Sequence, residues 1–219
     1  MKAAVIIAAA GKGKRFGSAK PKQFLKLKNK EVFLWSIEAF ASMKVFEEII
    51  AAVPDFMLLE LSKKYKNIPK LKFAAGGKER FDSIKKAARL IGQDIDFIAV
   101  HDGARPLIDK RDILKVLKTA VKTGAAIAVE KTKDTIKEIK NGIVVKTLDR
   151  NKLVNVQTPQ IFRKDLFFKA YSGKIPKNTT DDSFLFERLN IKVSATETEF
   201  PNFKITSKQD FKLADVLID

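Results

Sequence analysis

The chain has 219 residues with no cysteine and one histidine, which excludes disulfides, thiolate metal sites, cysteine nucleophiles and His-cluster metal centres, and argues against a serine triad. Its 43 lysines and arginines against 26 acidic residues give a formal net charge of +17, a balance that suits nucleic acid, a membrane surface or small anionic substrates. No apolar stretch approaches a bilayer span and no leader pattern is visible, so the expectation is a cytoplasmic protein without membrane contact. The lysines are spread along predicted helices rather than packed into one block, which weakens nucleic acid as a partner.

In chain order, the apolar run 3–9 reads as a buried first strand that ends in Ala10-Gly11-Lys12-Gly13-Lys14-Arg15-Phe16-Gly17. The spacing predicts a helix over 31–43, a strand over 48–53 closed by Pro54, a helix over 55–65 and a strand over 70–75 ending at Gly76-Gly77. A helix over 79–90, a strand over 97–100, a helix over 109–123 stopped by Gly124 and a strand over 125–129 follow. This alternation implies an α/β fold, Rossmann-like, with a mostly parallel sheet flanked by helices on both faces. Ligands bind beyond the carboxyl ends of such strands, so the two glycine loops are expected on one edge.

The rhythm changes near Thr132. Runs 135–139 and 143–147 flank Asn141-Gly142, the strongest short hairpin signal. An isolated hairpin is marginal in water, so this one is expected to pack either on a second copy of the chain or back on its own body. Beyond it come an extended run 153–160, a helix over 164–171, Thr180-Asp181-Asp182 as a cap for a helix over 183–189, strand-like runs 191–195 and 203–205, and a closing helix over 207–218. No repeat or linker is visible, so one domain over 1–219 is expected, with an arm over 133–156.

The first loop follows a strand, carries Lys12, Lys14 and Arg15, and continues to Lys20-Pro21-Lys22-Gln23. Its glycines allow close backbone approach, and successive N–H groups can converge on an anion such as a nucleoside triphosphate. It is neither a Walker A loop, since Phe16 stands where the second glycine is needed, nor a dinucleotide fingerprint, since the third glycine comes one residue late at Gly17. In Gly76-Gly77-Lys78-Glu79-Arg80-Phe81-Asp82-Ser83, the Ser83 hydroxyl either reads the edge of a base or only satisfies local backbone groups. In His101-Asp102-Gly103-Ala104-Arg105-Pro106, Asp102 at a strand end suits Mg²⁺, which takes one or two carboxylates and completes its shell with phosphate and water. Arg105 can pair with phosphate or hold a carboxylate, Gly103 admits a sugar, and His101 reads as structural.

Gly11-x-Gly13-x-Arg15 with Lys20-Pro21-Lys22-Gln23 resembles the sugar-nucleotide and alditol-phosphate nucleotidyltransferases. Adding Ala9-Ala10, Gly76-Gly77-x-x-Arg80-x-x-Ser83, His101 to Pro106, Asp134-Thr135, Asp149-Arg150-Asn151, Thr158-Pro159-Gln160, Thr180-Asp181 and Lys204-Ile205-Thr206, the chain resembles the 2-C-methyl-D-erythritol 4-phosphate cytidylyltransferase family nearly end to end. It departs from that pattern at Ala8, where the family commonly has proline. The ribitol-5-phosphate cytidylyltransferases are the nearest competitor, disfavoured by Ala10-Gly11, Ala104 and Asp149. A basic nucleic-acid-binding protein is the alternative outside enzymes.

The resemblance implies a nucleotidyltransferase fold, with CTP and a phosphorylated polyol as substrates and Mg²⁺ or another divalent cation as cofactor. Arg15, Lys22 and Lys204 would be catalytic, the first two at the α-phosphate with Lys12 and Lys14 as weaker helpers. Ala9, Ala10, Gly11, Gly13, Gly77, Lys78, Ser83 and Gly103 would bind the nucleotide, and Asp102 the metal. Arg105, Thr135, Arg150, Thr180 and Lys204 would meet the acceptor. Thr135 and Arg150 would come from the arm of the other subunit, which implies a homodimer with shared sites.

Overall fold

A computed structural model describes residues 1–11, 13, 16–17, 20–176 and 179–218 of the chain. In order, the elements are β1 (Ala3–Ala8), β2 (Lys26–Leu27), β3 (Lys30–Glu31), α1 (Val32–Ala41), β4 (Phe46–Val53), α2 (Leu58–Lys64), β5 (Leu71–Ala75), α3 (Arg80–Ala88) and β6 (Phe97–Asp102). They continue with α4 (Lys110–Thr123), β7 (Ala125–Lys131), β8 (Lys137–Lys140), β9 (Ile143–Thr147), β10 (Val154–Arg163), α5 (Lys164–Ser172), α6 (Ser183–Glu187), β11 (Ser194–Glu197) and α7 (Lys208–Leu217).

A seven-stranded sheet in the order β11-β7-β10-β6-β1-β4-β5 forms the body. Its neighbours pair in parallel except β10, which runs antiparallel to both β6 and β7. β1 lies inside the sheet with helices on both faces, which is why its sequence is a continuous apolar run rather than an alternation. The period of two still sorts its side chains. Val5 and Ile7 face a core with Phe33 and Ile37 of α1 and Val116 of α4, whereas Ala4 and Ile6 face one with Ile84 of α3, Phe167 of α5 and Phe186 of α6.

Local chemistry sets the ends of several elements. Gly124 closes α4 at φ 85°, a left-handed conformation that costs glycine little. Asn141 and Gly142 both have positive φ, as a two-residue hairpin turn with strand-compatible twist requires. Glu79 and Asp82 form a reciprocal cap at the start of α3. The β8–β9 hairpin makes a sheet of its own with every residue exposed, while Val154, Asn155 and Val156 already pair with β7 in the main sheet.

Two local expectations fail and one element is new. Residues 203–205 form no strand: the segment crosses just beyond the end of β6, where Ile205 N–H donates to the Ala104 carbonyl at 2.8 Å. Asp182 stands at the start of α6 without a side-chain capping bond, because its carboxylate is engaged elsewhere. The short β2–β3 ladder was not anticipated, since two residues per strand carry no periodic signal.

Candidate functional site

In the register of the sheet, Ala8 at the end of β1 lies opposite Asp102 at the end of β6. The loops beyond β1, β5 and β6 surround a cavity of about 510 Å³ at these carboxyl ends. Ala8, Ala10, Gly11 and Gly13 line one wall, Lys22 and Gln23 extend it, Gly77, Lys78, Glu79, Arg80 and Ser83 form the opposite one, and Asp102, Ala104 and Lys204 form the remainder. A more open depression of about 760 Å³ lies at the amino ends of β1 and β6, beside Met1 and Phe97, where Arg163 is paired with Asp165 and Lys164 donates to the Gly92 and Gln93 carbonyls.

The walls are held by specific bonds. The Gln23 side-chain amide donates to the carbonyls of Ala9 and Gly11, both at 2.7 Å, and so fixes the bend of the first loop. The two glycine loops touch: a Cβ on Gly76 would stand 2.5 Å from Cβ of Ala10 and 3.1 Å from the Val53 carbonyl oxygen. Gly77 N–H donates to Oγ of Ser83 at 2.9 Å, and that hydroxyl donates to the Glu79 carbonyl at 3.1 Å. Ser83 therefore shapes the loop by the local route, with one acceptor lone pair shared and its face on the cavity. Gly103 packs against the first strand, since a Cβ there would approach Cβ of Ala9 to 3.1 Å.

Charge gathers at Asp102. Lys204 Nζ donates to its Oδ2 at 2.7 Å, Arg80 Nε reaches Oδ1 at 3.4 Å, and Arg105 Nε lies 3.8 Å from Oδ2. Burial alone would push this carboxyl up, but Arg80, Lys204 and Arg105 outweigh it and hold it well below the usual carboxylate range. Arg80 in turn makes a two-pronged pair with Asp182, Nη1 to Oδ1 at 3.0 Å and Nη2 to Oδ2 at 2.7 Å, and the Tyr171 hydroxyl donates to Oδ1 of the same carboxylate. Lys204 is placed by its neighbour Ile205, fully buried with Phe16, Leu27 and Ala214.

The expected residues divide clearly. Ala10, Gly11, Gly13, Lys22, Gly77, Lys78, Ser83, Asp102 and Lys204 meet at the cavity. Ala9 is buried just behind it. Arg15, with Lys12 and Lys14, lies outside the described residues. Arg105 is largely buried and donates through Nη1 to the Asn202 carbonyl at 2.6 Å, so it fastens the segment that carries Lys204. Thr180 is exposed beside Asp181, and Thr135 and Arg150 are exposed on the arm, none of them among the described residues lining the cavity.

His101 is wholly buried and structural, as its position suggested. The Arg105 carbonyl can only accept, so Nε2 carries the proton toward it at 3.2 Å, and Nδ1 accepts from the Thr158 hydroxyl at 3.2 Å. Burial pushes its pKa down to about 4. Sequence reasoning missed Gln23, Arg80, Asp182 and Tyr171. Gln23 and Arg80 stood inside quoted motifs without a role, whereas nothing local distinguishes Asp182 from a cap or Tyr171 from a core aromatic.

One carboxylate suits a magnesium ion that arrives with a polyanion. Asp102 is ionised and lines the cavity, and no group of three or more His, Cys, Asp or Glu side chains among the described residues offers an all-protein cage. Its cationic surroundings offer a lone divalent ion little attraction, whereas a triphosphate reverses that balance.

The model of the family "2-C-methyl-D-erythritol 4-phosphate cytidylyltransferase" matches residues 3–219. The chain is 60% identical to the protein of that name from Endomicrobium trichonymphae, over 100% of this chain and 99% of the relative. It is 36% identical to the one from Clostridioides difficile strain 630, over 98% and 93%. Among solved structures, the Francisella tularensis enzyme of the same name aligns at a TM-score of 0.84 and 29% identity over 100% of both chains. The 4-diphosphocytidyl-2C-methyl-D-erythritol synthase of Anaerococcus prevotii aligns at 0.85 and 26% identity, over 99% of this chain and 97% of that one.

Proposed function

The chain belongs to the 2-C-methyl-D-erythritol 4-phosphate cytidylyltransferase family, and we propose that its reaction, CTP plus the alditol phosphate giving the CDP-alditol and pyrophosphate, takes place in the cavity at the ends of β1, β5 and β6. The observation that carries this is the wall of Lys22, Lys78, Arg80 and Lys204 around the carboxylate of Asp102, facing Ala10, Gly11 and Gly13; the other carboxylate on the lining, Glu79, is engaged in capping α3. Such a surface suits a polyphosphate and supplies no general base.

None is needed. The acceptor phosphate is an anion at neutral pH and attacks the α-phosphorus of CTP directly. What must be overcome is repulsion between anions and charge growing on the leaving pyrophosphate, so catalysis is positioning and electrostatic stabilisation. In this reading Lys22 and Arg15 stabilise the α-phosphate, and N–H groups from Ala10 to Gly13 hold the triphosphate. Gly77, Lys78 and Ser83 read cytosine, and Gly103 faces the ribose. Asp102 would hold Mg²⁺, which when bound offsets charge on the phosphates. Lys204 meets the acceptor phosphate, and Arg105 acts on it through the segment it fastens.

The proposal includes a homodimer and a cytoplasmic location. The arm, residues 133–156, exposes Ile139, Ile143, Val144 and Val145, a surface that a second copy would cover. Thr135 and Arg150 would then reach the acceptor side of the partner's cavity, with Thr180 contributed in place.

The test is pyrophosphate release with CTP and Mg²⁺, comparing 2-C-methyl-D-erythritol 4-phosphate with ribitol 5-phosphate. Turnover with the first alone is expected. Turnover only with the second would keep the mechanism and overturn the substrate.

A further inference from the structure

Arg80 joins two carboxylates that serve different ends. Its terminal nitrogens are both spent on Asp182, which is wholly buried, so that only Nε remains to face Asp102. The Tyr171 hydroxyl completes the arrangement from the far side, donating to the same Asp182 oxygen that Nη1 holds. Tyr171 itself is packed in the core, its ring stacked on Phe167 with centroids 4.4 Å apart.

A buried ion pair is weak evidence for stability, because desolvation offsets most of the attraction. A hydrophobic pair in the same place would serve the core as well. The location suggests another use. A guanidinium whose terminal nitrogens are held by Asp182 can orient Oδ1 of Asp102 through Nε alone. Released from Asp182, the same group would be free to take both oxygens of Asp102, or to swing onto substrate phosphate.

We propose that Asp182, backed by Tyr171, is a positioning residue of the transfer reaction: it locks Arg80 so that Asp102 presents Oδ2 to Lys204 and to the arriving ligands. The inference rests on the cavity being the transferase site. It assigns no contact with substrate to Asp182 or Tyr171, and it gives Arg80 the role of spacer between them and the chemistry. Arginine is required there, since a lysine is a point charge that cannot hold two carboxylates in fixed planes.

Tyr171→Phe is the clean test, because it keeps the stacked ring and deletes only the hydroxyl. Turnover, KM for CTP and thermal melting are measured for it, for Asp182→Asn, and for Phe186→Leu, a core change in the same cluster whose ring stacks on Phe162. The expected result for Tyr171→Phe is a kcat lower by roughly tenfold, the worth of one hydrogen bond to a charged group, with KM for CTP within about twofold of the wild type. Phe186→Leu is expected to lose at least as much melting temperature and keep its kcat. Asp182→Asn is expected to show a larger fall in kcat; should it fail to fold, Tyr171→Phe decides alone. The proposal is overturned if Tyr171→Phe retains its kcat, or if kcat simply follows melting temperature across both core variants. A wild type that releases no pyrophosphate would instead defeat the functional reading, and is seen before any variant is compared.

Discussion

Lys204 Nζ lies 2.7 Å from Oδ2 of Asp102, joining residues 102 positions apart in the chain. The contact ties the last loop to the end of the central strand pair and puts a cation where the acceptor phosphate is proposed to sit. A polyanion in the cavity competes with Asp102 for that ammonium. Removing it leaves Asp102 with Arg80 and Arg105, so the fold should persist. Lys204→Ala is expected to lower kcat by ~10²–10³, the usual cost of one preorganised stabilising donor. It should raise KM for the alditol phosphate and leave CTP affinity by calorimetry little changed. A near-normal kcat would remove Lys204 from the chemistry.

Gly77 offers a test of the base-reading wall. A Cβ there would stand 2.2 Å from Cβ of Asp82, 3.0 Å from its carbonyl carbon and 3.1 Å from the Ser83 nitrogen. The last two are backbone atoms in the first turn of α3 and cannot swing aside. The loop must shift, breaking the bond from Gly77 N–H to Ser83 Oγ. Gly77→Ala is expected to raise KM for CTP by about tenfold, in line with one lost hydrogen bond, and to reduce discrimination against UTP. Unchanged steady-state constants with both nucleotides would mean that this loop does not read the base.

How much of this was legible depended on whether the deciding signal was local. The strand over β1, the stop of α4 at Gly124 and the Asn141-Gly142 turn each have their cause within a few residues, and each was readable. So was the meeting of the two glycine loops, because alternation implies a sheet whose carboxyl ends share an edge. Residues 203–205 were not: their alternation fits a strand or a crossing segment equally, and the choice is made by the burial of Ile205 against Phe16 and Ala214. Asp182 was read as part of a cap from its position before a helix. A guanidinium 102 residues earlier in the chain claims it instead, and no local pattern encodes that.

The arm makes a prediction about assembly. Ile139 pairs with Val144 across the hairpin, and both are more than half exposed, at 65% and 58%. Aspartate at both positions makes the apolar surface unfit to bury, with two like charges facing each other across the hairpin. Sedimentation equilibrium is expected to show a dimer for the wild type and a monomer for Ile139→Asp/Val144→Asp. The variant should still bind CTP and should lose turnover, since Thr135 and Arg150 would no longer reach a partner. A fully active monomeric wild type would refute the shared site.

His101 should make stability, though not chemistry, depend on mildly acidic pH. Its pKa is pushed from 6.5 down to about 4 by burial, so between these values the unfolded chain binds a proton that the folded chain refuses. The stabilisation is therefore fully present above pH 6.5 and is lost as pH falls toward 4. By pH 5 the loss amounts to about 2 kcal/mol, from 1.36 kcal/mol per unit over the interval crossed. Asp102, whose carboxyl is held down, contributes its own loss only below the ordinary aspartate range, so pH 7 to 5 isolates the histidine. Melting temperature should fall across that window in the wild type and stay nearly flat in His101→Asn, which is also expected to be less stable at pH 7 because the ring's packing on Phe40 is lost. A flat profile in the wild type would show that the ring accepts a proton without opening the core.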